Sequence, residues 1–204
     1  MIAADEYHSL AADLAIWHAF DPKAKAELFS AACRTAHGIA FIDPLRLAEP
    51  ALTDLLGEDR AAGIVLTNIN HWRASARLAE KFSIPIFAHP DSAGAGDAPF
   101  EPLADGQILF DSIHVIAIPG GAPGEIALHS PHKNGTLIVG DALIHFEPYG
   151  FTFLPAKYCV DQKLMRQSLH KLLSFPAERM LFAHGTPILS KAGNRLDDLL
   201  KHGE

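Results

Sequence analysis

Apolar residues recur along this chain in two rhythms, continuous runs of strand length and longer segments at helical spacing, and their order predicts the architecture. Residues 13–20 (DLAIWHAF) and 38–44 (GIAFIDP) are β-leaning runs, the second stopped by Asp-Pro. The stretch 50–57 (PALTDLLG) has helical spacing with Pro near its start and Gly at its end. A strand over 63–69 (GIVLTNI), a helix over 74–82 (ASARLAEKF) and a strand over 84–90 (IPIFAHP) follow, the alternation of a buried sheet with helices on its outer face. Residues 91–107, rich in Gly, Pro, Ala and Asp, read as a surface loop. Beyond it ILF, IHVIAIP, EIALHS and TLIVGD are closely spaced strand-like runs separated by turn residues, a meander. From Asp161, DQKLMRQSLHKLLSF is an amphipathic helix, RMLFAHG a short strand and GNRLDDLLKH a closing helix.

Length and composition add bounds. At 204 residues and 49% apolar, one domain over 1–204 with a sizeable core is expected. The chain carries 17 basic and 24 acidic residues, a net charge of −7, and no basic run, which argues against nucleic acid and anionic membranes as partners. An acidic N-terminal stretch in place of a basic leader, with no bilayer-length apolar run, predicts a cytoplasmic protein. Cys33 and Cys159 lie far apart with no CxxC pattern, so buried or idle thiols are expected. No Gly-x-Ser-x-Gly elbow, P-loop or dinucleotide fingerprint appears in its required context.

Three short motifs, in order, carry a resemblance. GIVLTNINHWRASARLAEKFSIPIFAHP is similar to a strand that ends at Thr-His-x-His-x-Asp-His, enters a helix and returns as a strand. IAIPGGAPGEIALH resembles a Pro-Gly-His-Thr-Pro-Gly-Ser stretch, NGTLIVGDALI a hairpin ending in Gly-Asp, and RMLFAHGTPI a strand whose terminal His closes a metal site. From about residue 14 onward the chain therefore resembles the metallo-β-lactamase superfamily, the group that includes glyoxalase II-like thioesterases. The resemblance implies an α/β (α+β) fold: a four-layer αββα sandwich of two mixed β-sheets flanked by helices, with a site at one edge between the sheets.

The ligand positions carry over one at a time. Thr67 anchors the first motif, so Asn68 and Asn70 stand where two His ligands are expected, Trp72 on the Asp ligand and Arg73 on the last His. Gly121 takes the place of a third His, while Asp141 keeps the bridging carboxylate and His184 the C-terminal imidazole. Only Asp141 and His184 remain as metal ligands. Asn68 and Asn70 offer neutral oxygens, and Arg73 is a fixed cation that repels a divalent ion.

The residues therefore predict no bound cofactor, with zinc or another divalent metal as the alternative. Arg73 is expected to pair with Asp141 and replace the ion electrostatically, and Trp72 to fill the vacated space. His71 and His89 sit near strand ends and could reach the pocket, His71 being counted among its candidates with Asn68, Asn70, Trp72, Arg73, Gly121, Asp141 and His184, although an isolated His there is more often a surface or satisfied core residue and neither is expected as a ligand; of His129, His132 and His145, only His145, four residues after Asp141, is expected to face the site.

Two functions stay open, and the residues do not decide whether the chain is an enzyme. The favoured one is a non-catalytic or repurposed member that binds a small molecule or a protein. The alternative is a hydrolase of ester, thioester or related bonds, rebuilt around Asp141, His184 and a recruited His with one metal, or with none. A pocket open to solvent favours the hydrolase; one filled by Trp72 and closed by an Arg73–Asp141 pair favours the scaffold. A homo-oligomer through a sheet edge or helix is compatible with either.

Overall fold

The computed structural model describes residues 2–23, 25–94, 96 and 98–203. Its first sheet has seven strands in spatial order β1 (His8–Ala11), β2 (Leu14–Asp21), β3 (Ala26–Thr35), β4 (Gly38–Ile42), β5 (Ala61–Val65), β6 (Ile86–Ala88) and β7 (Glu101–Pro102). Strands β1 to β4 are antiparallel, whereas β4 to β7 run parallel, joined in part through α1 (Glu49–Leu56) and α2 (Ser75–Phe82). The second sheet has five strands, β8 (Ile108–Leu109), β9 (Ile113–Ala117), β10 (Ile126–Ser130), β11 (Thr136–Val139) and, after a hairpin and a helix, β14 (Arg179–Phe182). The hairpin is β12 (Leu143–Phe146) with β13 (Gly150–Phe153), and the helices on this side are α3 (Gln162–Leu169) and α4 (Ala192–His202).

The layering follows from side-chain alternation. In β2 and β4, Trp17, Ile39 and Phe41 pack outward with Leu52, Leu55 and Leu78 of the helices, while Ile16, Ala40 and Ile42 face the other sheet. Strand β11 splits likewise: Ile138 joins the inter-sheet core with Leu128 and Leu181, and Leu137 and Val139 pack on Met165, Leu169 and Leu196. Three apolar layers between four layers of secondary structure are the expected αββα sandwich.

Most expected elements form where the pattern places them. The longest strand, β3, is one that the hydrophobic pattern does not single out, and the β12–β13 hairpin extends the meander further than expected. The loop expected over 91–107 holds a 3-10 turn (Pro90–Ser92) and strand β7, and residues 95 and 97 lie outside the described residues. Among the described residues, no helix is long and apolar enough to cross a membrane.

Among the described residues, one edge of the sandwich collects the buried carboxyl groups, Asp43, Glu125 and Asp141, and the topology explains why. Parallel neighbours β4 and β5 lead directly into Asp43 and Thr67, one and two residues past their ends, and parallel neighbours β11 and β14 lead into Asp141 and His184, each two residues past its end. Glu125 immediately precedes β10, which runs antiparallel to β11, so it stands at the same edge.

Both cysteines are free, Cys33 buried and Cys159 partly so. Burial pushes the Cys33 thiol up to about 12. Because the thiolate is the reactive form, a disulfide reagent at pH 8 is expected to leave Cys33 unmodified in the native protein and to modify it only on unfolding. Thiol titration before and after denaturant checks this; rapid labelling of two thiols in the native state would contradict it.

Candidate functional site

The site grows from the turn that follows β5. Asn68 caps a 3-10 turn over Ile69–His71, its side-chain oxygen accepting from the Asn70 backbone N at 2.8 Å. In a 3-10 turn residues three apart eclipse, so His71 lies on the same face as Asn68. Both are buried. His71, a pocket candidate in the sequence, thus stands in the site, and as a potential ligand, which the sequence did not favour.

His71 sits between two carboxylates from different sheets. Its Nδ1 lies 2.9 Å from Asp43 Oδ2, and its Nε2 lies 3.2 Å from Asp141 Oδ1. Asp43 is held by Thr67, which donates its backbone N to Oδ1 at 2.8 Å and its hydroxyl to Oδ2 at 2.5 Å. His184 Nε2 approaches the same Asp141 Oδ1 at 3.2 Å. Burial alone would lower the His71 pKa, but Asp43 and Asp141 outweigh it and raise it to about 9. Burial likewise works against ionised Asp141, yet His71 and His184 hold it well below the usual carboxylate range.

The other half of the site is filled by a residue that the motifs do not flag. Glu125 is buried, accepting from Asn68 Nδ2 at 2.9 Å and from the Ala142 backbone N at 3.0 Å, while the same Asn68 Nδ2 donates to Asp141 Oδ2 at 3.1 Å. Desolvation, then the nearby charge of Asp141, raises its pKa, which favours a neutral carboxyl. Glycines make room for it. A Cβ at Gly121 would lie 2.8 Å from Glu125 Cγ, and one at Gly140 would lie 2.5 Å from Glu125 Oε1. Gly121 therefore adjoins the site through the Glu125 side chain that occupies its space.

The remaining candidates separate. Asn70 borders the cavity in front of His71. Trp72 does not fill the site: it packs edge-on to Phe100 in the outer core and donates Nε1 to Ser92 O at 3.2 Å. Arg73 does not pair with Asp141. Its backbone is left-handed, at φ 40°, and its Nη1 donates to the backbone oxygens of Phe29 and Asp43, aiming the guanidinium toward the first sheet. His145 supports rather than lines the site, its Nδ1 lying 2.8 Å from Thr186 O beside the His184 loop. His89 accepts from Asp91 N, His129 contacts Pro176 O, and His132 lies in the turn before β11.

Residues 8–202 match the family model described as the metallo-beta-lactamase superfamily. The chain belongs to that superfamily. No curated protein sequence matches it. Among solved structures, this superfamily member is similar to a metallo-beta-lactamase family protein from Thermus thermophilus, at 20% identity over 95% of this chain and 80% of that one, with a TM-score of 0.69. A metallo-beta-lactamase from Pontibacter korlensis is 14% identical over 99% of this chain and 100% of its own, with a TM-score of 0.74. A beta-lactamase domain protein from Burkholderia ambifaria is 16% identical over 99% and 77% of the two chains, also with a TM-score of 0.74. At these identities the likeness concerns the fold.

Whether the residues fit the metal implied by the superfamily is tested by what they leave unsatisfied. His71 Nε2 and Asp141 Oδ1 are buried and make no hydrogen bond of acceptable geometry. Together with His184 they offer ligand atoms that all lie within 4.8 Å of one another. Two imidazoles and a carboxylate are a donor set suited to a zinc-type ion. Asn68 is unsuited to ligation because its oxygen is used by Asn70 N and its amide nitrogen is turned to two carboxyl groups.

Removing one member of a buried charge pair leaves the other uncompensated, so Asp43→Ala is expected to lower the unfolding free energy by about 3–5 kcal/mol in urea denaturation. The His71 pKa is raised on folding, so its contribution is fully present below about pH 6.5 and is lost as pH rises toward about 9. Chelator-treated protein should accordingly show a falling Tm across that window, with a smaller fall in His71→Gln; equal slopes would contradict the His71 assignment.

Proposed function

We propose that this protein is a hydrolase of ester, thioester or related bonds whose site is rebuilt to hold one divalent ion on His71, Asp141 and His184. The observation that carries the reading is the pair of buried atoms without hydrogen bonds, His71 Nε2 and Asp141 Oδ1, converging with His184. The site also borders open space: a cavity of about 640 Å³ is lined in part by His71, His184 and Asn70, a size suited to a small organic ligand. Neither Trp72 nor an Arg73–Asp141 pair closes it.

A divalent ion bound there would supply Lewis acidity toward a carbonyl and lower the pKa of water. The chain's own residues prepare the place. Thr67 Oγ1 meets His71 Nδ1 at 2.8 Å, with Asp43 Oδ2 2.9 Å from the same nitrogen, which fixes the ring and presents Nε2 toward Asp141. Asn68 engages Asp141 Oδ2 and leaves Oδ1 to the imidazoles. The His145 main chain, through its N donating to His184 O at 3.2 Å, steadies the loop that carries His184. Because His71 must release its proton to ligate, ion affinity should rise with pH.

One observation favours the non-catalytic reading. With His71 protonated, its charge is balanced by Asp43 and Asp141, so the site can be electrostatically complete without an ion. Elemental mass spectrometry on protein purified without chelators or an affinity metal column, then incubated with zinc, iron or manganese, decides between them. The hydrolase reading expects about one equivalent per chain, lost in His71→Ala and in Asp141→Ala, together with chelator-sensitive cleavage of thioesters or esters. Absence of uptake from excess metal at pH 8.5 overturns it and leaves the scaffold reading.

A further inference from the structure

The cavity beside His71 has an electrostatic character opposite to that of the chain. The protein as a whole carries 24 acidic and 17 basic residues. The cavity lining, by contrast, includes Lys23, Arg46 and Arg73 against a single carboxylate, Asp21. That carboxylate is already engaged, its Oδ1 accepting from the Lys23 backbone N at 2.8 Å. Among the described residues, none of the three cations forms an ion pair.

Arg73 is the most specific of the three. Its guanidinium uses Nη1 to hold the Phe29 and Asp43 backbone oxygens, while Nη2 is buried with no hydrogen-bond partner. A buried N–H without a partner is costly, so a small side-chain shift that brings Nη2 to an oxyanion in the cavity would recover that cost, even with Asp43 and Asp141 near the guanidinium. Lys23 lies in the β2–β3 turn and Arg46 just beyond β4, both exposed, so two separate segments bring positive charge to one opening. Leu28 and Leu45 add apolar wall between them.

We infer that this cavity recognises a ligand with an apolar body and an oxyanion, a carboxylate or a phosphate, held by Arg73 and attracted by Lys23 and Arg46. The cations suit such a group and disfavour a cationic ligand. The inference rests on the proposed hydrolase only for what happens to the ligand after binding: in that case the substrate is an anionic ester or thioester.

Isothermal titration of the full chain with succinate, inorganic phosphate and neutral dimethyl succinate tests it. Binding of succinate or phosphate, weakened by salt, is expected, with no binding of the neutral diester. Whichever anion binds tells whether carboxylate or phosphate is preferred. The double variant Lys23→Ala/Arg46→Ala changes only exposed side chains and should weaken binding about tenfold, with Arg73→Gln weakening it at least as much. An anion held by a metal ion alone would be indifferent to the double variant. No binding of either anion, or unchanged affinity in the double variant, overturns the inference. Anion binding without cleavage of any ester removes the proposed activity and leaves this inference standing; cleavage of neutral esters without anion binding does the reverse.

Discussion

One imidazole shared between two carboxylates is the contact on which the rest of this site depends. Asp43 follows a strand of the first sheet and Asp141 a strand of the second, and His71 bridges them at 2.9 Å and 3.2 Å. All three are buried, so each charge requires the others. The bridge closes the sandwich at its polar edge, where the apolar layers cannot. It also governs its neighbours: Thr67 holds Asp43, Asn68 divides its amide between Asp141 and Glu125, and His184 meets the remaining oxygen of Asp141.

Around that bridge the site is asymmetric. On one side Glu125 and Asn68 form a hydrogen-bonded plug that fills the space a side chain at Gly121 or Gly140 would need. On the other, His71 and His184 border a cavity whose lining carries more positive than negative side chains. The open space is thus on one half of the edge. The superfamily scaffold persists because its three apolar layers are independent of how that edge is furnished.

The fold was largely legible in the sequence because strand alternation and helical spacing are local signals. Strand β3 escaped because AELFSAACRT mixes Ala and Glu with few branched residues, and its partners on both sides, rather than its propensity, make it a strand. At the site, Asp141 and His184 were legible from motifs that end their strands. His71 was legible as a pocket candidate but not as a ligand, because the motif register gives it no ligand position, whereas the 3-10 turn brings residues 68 and 71 onto one face and sends Trp72 to the outer core. The Arg73–Asp141 pair failed for a related reason: the left-handed backbone at Arg73 aims its side chain at the first sheet. Asp43 was visible only as half of an Asp-Pro strand stop, and Glu125 only as a polar residue heading an apolar run. Their roles depend on long-range contacts.

The plug formed by Glu125 couples positions 121 and 125. An imidazole placed at position 121 alone would meet the Glu125 side chain at its first carbon. Loss of Glu125 alone would open a void and leave the Ala142 N–H and part of the Asn68 amide without partners. Each single substitution is therefore disfavoured, although the two together need not be. Positions 121 and 125 act as an interlock, in which neither side chain changes freely while the other stays.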